Sequence, residues 1–354
     1  VTLNAEVKAL LKSDPQIMER CFQLVREANQ VLLNQEPVAR CCRALEAALS
    51  DSYPRCRAFP FGSRVSGLGN ERSDLDVFVD VGDMYMGNAN QDARSQEKFV
   101  NTACKLFRKR KDEFSHVNPI PTARTPIVQV FHITSKLDCD LSFRHGLSVE
   151  NTKFLKLCID VQPVTQPLIL LLKQWVEYCK LQEHITTYAL SMMVIFHLQI
   201  VGYLMPVHEL RQLNLNKISI IDGWGIVDFT NLIPVIRDRI APYTGSPKEL
   251  LKKFFSYYSS FNYTADVICP LLGRPIKKSL FINKLNGEDL PLEMLAYVQK
   301  VSANPDSEQF RARSPFCVQD PFDLSHNLVK ACTPTAVEKL KTLCDLTFKH
   351  LTNI

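Results

Sequence analysis

Apolar residues recur at three- and four-residue steps through positions 4–50, where Val7, Leu10 and Leu11 are followed by Cys21, Val25, Val31 and Leu32. That period predicts helix. Residues 59–81 change character to loop, short helix and strand, and 96–114 read as a further helix that ends in the basic run RKRK. Two β-rich runs follow, TPIVQVFHI and SKLDCDLSF, so closely joined that they predict an antiparallel hairpin. The prolines of HVNPIPTARTP mark the stretch before them as loop. Beyond residue 148 the period is helical almost throughout, across 151–161, 167–181, 187–204 and SPKELLKKFFSYYSSF. A sheet-bearing module followed by a helical one predicts an α+β protein.

At 354 residues the chain is too long for one compact core, so two domains are expected, one over 40–165 and one made of 1–39 and 166–354. The formal charge of +5 permits a polyanionic partner without demanding one. Twelve cysteines without C-x-x-C or zinc-like spacing read as reduced thiols of a cytoplasmic protein. The longest apolar stretch, 188–205, carries Ser191, His197 and Gln199, which predicts a buried helix and no membrane span. The chain opens at Val1, and a missing targeting segment or further domain is expected to lie outside it.

Candidate chemistry changes this picture at Asp74 and Asp76. In a strand, residues two apart share a face, so both carboxylates point one way while Leu75 and Val77 point into the core. A D-x-D pair alone reads more often as a solvent-facing strand end. The run KLDCDLSF adds Asp138 and Asp140 with the same spacing, and a third carboxylate on an adjacent strand makes an oxygen-donor face suited to two Mg²⁺ ions, with Mn²⁺ as the alternative. Upstream, Gly62 lets the backbone approach a phosphate, and Ser63 is expected to cap a short helix whose N–H groups face an anion. Phosphoryl transfer is the chemistry such a set serves.

Several residues are ambiguous when taken singly. Lys173, an ammonium in LILLLKQW, pairs either with Glu177 one turn on or with an anionic ligand. Thr187 and Tyr188 open a long helix, as an N-cap and a core tyrosine or as nucleotide contacts. Asn151 and Thr152 read first as a helix start, and His326 as a surface residue in the first turn of a helix capped by Ser325.

FGS, then DLD after ten residues, then CDLSF, NTKFL, LLLKQW, TTYALSMM, FFSYYSSFNY and DPFDLSHN stand in an order that resembles one branch of the DNA polymerase β-like nucleotidyltransferase superfamily. That branch is the noncanonical poly(A) polymerase and terminal uridylyltransferase family, and the resemblance covers nearly the whole chain. It implies a catalytic mixed-sheet domain over 40–165, a helical central domain with a nucleotide-recognition motif near 319–330, and an active site in the cleft between them. It also implies a template-independent uridylyltransferase that joins UMP from UTP to an RNA 3′ end. Asp74 and Asp76 would hold both metals and Asp140 the ion that activates the RNA hydroxyl, leaving Asp138 spare. Gly62, Ser63, Lys173 and Thr187 would hold the phosphates, Tyr188 would stack on the base, and Asn151 and Thr152 would reach the ribose and the pyrimidine edge.

Base choice falls on 319–330. Uracil offers acceptor O4 and donor N3–H, so His326 is the expected donor and Asp320 the expected acceptor, directly or through water. On the RNA side the resemblance marks Arg124 near the primer end, and Arg144, standing with His145 where relatives often have asparagines, is expected to tune recognition of the last RNA nucleotide. Gln129 stands where relatives often have lysine, and Glu177 replaces a second phosphate lysine that Lys180 is expected to replace in turn. The expected partners are RNA and UTP, with a 3′–5′ exonuclease that reads the tails. The chain is expected to be a monomer.

Overall fold

The computed structural model describes residues 1–282 and 289–354, which fall into two compact units. One comprises 26–156 and 219–226 and carries the main sheet; the other comprises 1–25, 157–218 and 227–354 and is mainly helical.

Five strands make the sheet: β1 (Arg57–Phe61), β2 (Leu75–Asp80), β3 (Phe114–Ile120), β4 (Ile127–His132) and β5 (Leu137–Ser142). Their order is β1-β2-β5-β4-β3, with β2 and β5 parallel and the other pairs antiparallel. The β4–β5 hairpin is the one expected. β1 and β3 differ from expectation, since both were read as loop or, at Phe114, as a helix end. The helix closes at Lys109 instead, after starting on an Asp92 N-cap. Each unexpected strand contains a proline, Pro60 or Pro119, and β3 carries a bulge between Ser115 and Asn118 with His116 at φ 53°. Proline lacks the ladder N–H and a bulge breaks the two-residue alternation; both are tolerated at a sheet edge, where these strands lie.

Leu75, Val77, Val79, Cys139 and Leu141 are all buried on one face of the sheet. Helix Glu36–Leu49 covers that face, with the Cys41 and Cys139 sulfurs 3.4 Å apart. A one-residue slip of β2 would turn these apolar side chains outward and drive Asp76 into the core, so the hydrophobic pattern fixes the register. The opposite face carries Asp76 and Asp140 and, further along, an aromatic group of Phe59, Phe78 and Tyr85.

In the helical unit, helix Thr187–Ile200 is buried from Ala189 to Gln199, as its nearly unbroken apolar sequence requires. It ends earlier than expected. Tyr258 on helix Pro247–Ser260 donates to the Met193 carbonyl at 2.7 Å, and the Trp175 indole donates to Thr347 on helix Pro334–Thr352 at 3.0 Å. All twelve cysteines are free and buried. Among the described residues no single helix is long and apolar enough to cross a membrane.

Candidate active site

In the sheet unit the parallel pairing of β2 with β5 sets Asp76 opposite Asp140. Asp74 lies just before β2 and is exposed, whereas Asp76 and Asp140 are half-buried. Burial, then the charges of Asp140 and Asp74, push the Asp76 carboxyl up to about 7. Asp140 is raised by burial and by Asp74, against a hydrogen bond from the Gln129 amide. Asp74 is raised by burial and by Asp138, with the Arg64 guanidinium opposing. Asp138, expected to be spare, thus belongs electrostatically to the same group.

Like charges held this close disfavour ionisation until a cation joins them. The donors are all carboxylate oxygens, which is the ligand set of a hard divalent ion. Asp74, Asp76 and Asp140 therefore suit Mg²⁺ or Mn²⁺ by donor chemistry. Among the described residues no three His, Cys, Asp or Glu side chains already converge as a coordination set.

Gly62 ends β1's extension at φ 81°, and a β-carbon there would run into the Asp76 carboxylate. Only glycine meets both conditions. Gly62 itself is the N-cap of the four-residue helix Ser63–Ser66; Ser63, expected as the cap, is its first helical residue and makes no capping bond. The Gly62 N–H donates to the Thr152 hydroxyl at 2.9 Å, and that hydroxyl donates to the Ser148 carbonyl at 3.0 Å. Thr152 is buried and its hydroxyl braces Gly62 from beneath, in addition to the nucleotide contact expected of it. Its neighbour Asn151 keeps a buried Oδ1 with no partner.

Sequence reasoning passed over Arg64. Its nearly buried guanidinium donates to the Ser73 and Glu71 carbonyls, both at 2.6 Å, and so clamps the turn that delivers Asp74. The available signal was an arginine beginning a short helix next to a polar loop. Arg124 is exposed on the loop before β4, and Arg144 donates to the Arg124 carbonyl at 3.0 Å. Arg144 braces that loop. Gln129 accepts from Asn118 at 3.1 Å, which turns its amide nitrogen toward Asp140.

The helical unit carries the other expected residues. Lys173 is half-buried on helix Thr165–Tyr178 and makes no ion pair among the described residues, Glu177 included. Lys180 lies beyond the helix end at φ 57°, in a left-handed turn, and does not continue the Lys173 face as expected. The N-cap of helix Thr187–Ile200 is Thr186, whose hydroxyl accepts from the Ala189 N–H at 3.2 Å; Thr187 is the first helical residue rather than the cap. The Tyr188 hydroxyl is buried beside the Asp320 carboxyl without completing a well-formed hydrogen bond. The residue as a whole is half-buried.

Residues 319–327 form a turn tied down from within. One Asp320 oxygen accepts from the Phe322 and Asp323 N–H groups at 2.7 and 3.0 Å, and the Asp320 N–H donates to the His326 carbonyl at 3.0 Å. Burial, then Asp323, pushes the Asp320 carboxyl up to about 7. No helix starts at Ser325; His326 sits half-buried on the turn. Asp320 is only 2% exposed, so its first task is to shape the turn. Gln319 and Asn327, both missed in the sequence, complete the ties: Gln319 donates to the Leu324 carbonyl at 2.9 Å, and Asn327 accepts from the Val318 and Val329 N–H groups at 3.1 Å.

Two family models match the chain. The central palm domain of mitochondrial-like poly(A) RNA polymerase covers residues 17–160, and the Cid1 family poly A polymerase domain covers 249–326. Among curated relatives, the speckle targeted PIP5K1A-regulated poly(A) polymerase of Xenopus tropicalis is 25% identical over 85% of this chain and 40% of its own length. Terminal uridylyltransferase 7 of Homo sapiens is 23% identical over 87% of this chain and 19% of its own. The chain spans about 40% or less of these proteins. The fold is shared with mtPAP in complex with ATPγS, at TM-score 0.70, 18% identity and coverage of 99% of this chain and 70% of that one. It is shared too with the Cid1 poly(U) polymerase, at TM-score 0.67, 20% identity and coverage of 94% and 93%. The chain belongs to the noncanonical poly(A) polymerase and terminal uridylyltransferase family, with the polymerase β-like nucleotidyltransferase fold.

Proposed function

We propose that the chain is a template-independent RNA terminal uridylyltransferase, joining UMP from UTP to RNA 3′ ends with Mg²⁺ or Mn²⁺. The observation that carries this reading is the acidic group of Asp74, Asp76 and Asp140, with Gly62 held against Asp76 by Thr152. The 3′-hydroxyl oxygen forms a bond to the α-phosphorus, its proton leaves toward the carboxylates or water, and the α–β phosphoanhydride bond breaks to release pyrophosphate. Bound divalent ions, held by Asp74, Asp76 and Asp140, would supply charge neutralisation at the attacking and leaving oxygens. In the helical unit Lys173, an ammonium with no ion pair among the described residues, is the phosphate contact, Tyr188 offers its half-buried ring to the base, and Thr187 adds a hydroxyl at a helix start.

Selection of UTP is assigned to the turn 319–327. Asp320 shapes the turn, and His326 provides the donor for uracil O4 while its bulk crowds a purine. Asn151, with an orphaned oxygen, remains the contact for ribose. Arg124 and Arg144 serve the RNA end, the second by bracing the loop of the first. We place the reaction in the cytoplasm, on a monomer, with its U-tails read by a 3′–5′ exonuclease.

Use of ATP is the second reading, favoured by the poly(A) polymerase names of several relatives. The purified chain, a short single-stranded RNA, Mg²⁺ and each nucleoside triphosphate separately distinguish the two. Uridine extension is expected. Extension by adenosine alone would establish the second reading, and no extension with any nucleotide would leave an RNA-binding scaffold of this fold.

A further inference from the structure

Arg211 stands outside every role assigned so far. It lies near the end of helix Val207–Gln212 and is half-buried, with its Nε fully buried and burial lowering its proton affinity. Buried guanidinium groups are ordinarily held by carboxylates. Here one arm, Nη2, donates to the Pro321 carbonyl at 3.3 Å, and Nε is buried with no acceptor among the described residues. A partly buried cation spends its hydrogen bond on a backbone oxygen rather than on a carboxylate.

That oxygen belongs to the residue after Asp320. The turn is therefore fixed twice: Asp320 gathers the N–H groups of Phe322 and Asp323 from inside, and Arg211 holds Pro321 from a helix about 110 residues away in sequence. Phe322, fully buried edge-on against Phe229, anchors the next position. With the Asp320 N–H bonded to the His326 carbonyl, a shift at Pro321 is passed to His326.

We propose that Arg211 is a positioning residue for base selection, setting the place of His326 by clamping Pro321. The inference rests on the reading of 319–327 as the base-recognition turn. A buried hydrogen bond from a charged donor supports roughly a tenfold effect or more when lost. Arg211→Gln removes the charge and the fork. It is expected to raise KM for UTP about tenfold and to lower the UTP-over-ATP ratio of kcat/KM about tenfold, with kcat within about twofold. Arg211→Lys, whose single ammonium reaches Pro321 without the planar fork, recovers part of the loss and leaves a fall of about threefold. A merely structural role would lower the amount of active enzyme for both nucleotides alike and leave KM and the ratio unmoved.

A folded Arg211→Gln with the wild-type ratio overturns the proposal. Should that variant not fold, Arg211→Lys carries the test alone, and an unchanged ratio in it overturns the proposal equally. Equilibrium binding of UTP and of ATP to the same variants makes the comparison without turnover. A wild-type chain that prefers ATP would sink the uridylyl reading while the change of ratio still decides the role of Arg211.

Discussion

Asp76 and Asp320 are both carboxyl groups pushed up to about 7, yet the two surroundings differ in kind. Around Asp76 the neighbours that matter after burial are other carboxylates, and nothing positive within the cluster balances them beyond Arg64 acting on Asp74. Around Asp320 the neighbours include two backbone N–H groups that its oxygen already accepts. The first arrangement is unfavourable until a divalent ion arrives; the second is satisfied by the protein's own chain. A raised proton affinity alone therefore says little about role, and the identity of the partners decides it.

The largest test of that contrast is chemical. Asp76→Ala, or Asp74→Ala, should lower nucleotide incorporation by about a thousandfold or more, as loss of a metal ligand does, with an unchanged circular dichroism spectrum. Residual extension within tenfold of wild type would remove these residues from the metal site.

Stability gives the next effect, and its sign follows from protonation. Below about pH 4 the folded and unfolded chains both hold the Asp76 proton; between there and about 7 only the folded chain keeps it, so ionisation costs stability as pH rises, by on the order of a few kcal/mol. In metal-free buffer Asp76→Asn should melt higher than wild type at pH 8 and nearly equal to it at pH 4. Added Mg²⁺ should then raise the wild-type melting temperature and leave Asp76→Asn unmoved. Asp320→Asn shares the pH trend but should keep the full Mg²⁺ response, and its loss there would erase the distinction between the two carboxyls.

Thr152→Val leaves the Gly62 N–H without its acceptor and should cost about 1–3 kcal/mol in denaturant melts, with a parallel fall in incorporation. Last comes His326→Ala, expected to shift the UTP-over-ATP ratio by about tenfold, since it loses both a hydrogen bond of about 1 kcal/mol to uracil and the bulk that crowds a purine. Mixed-nucleotide extension read at single-residue length measures it.

The sequence carried the carboxylate spacing, the hairpin and the order of the helices, because each follows from a local period. The edge strands were hidden by Pro60 and Pro119, which are read as loop punctuation unless the sheet that tolerates them is known. At the site, side-chain type was visible but commitment was not. Thr152 and Asp320 read as ligand contacts in a string of letters, and only the structure shows the internal hydrogen bonds they also make. Caps shifted by a residue at Gly62 and Thr186 for a related reason, since either of two adjacent residues fits the local signal and backbone geometry chooses. Arg64 and Arg211 escaped because their partners are main-chain carbonyls, which no residue pattern records.

The prolines at the sheet margins carry one more consequence. A strand with an interrupted row of amide hydrogens is a poor template for a second copy laid alongside it. β1 and β3 each carry such a proline, so the sheet is guarded from growing into fibrils by the same two residues that disguised its borders.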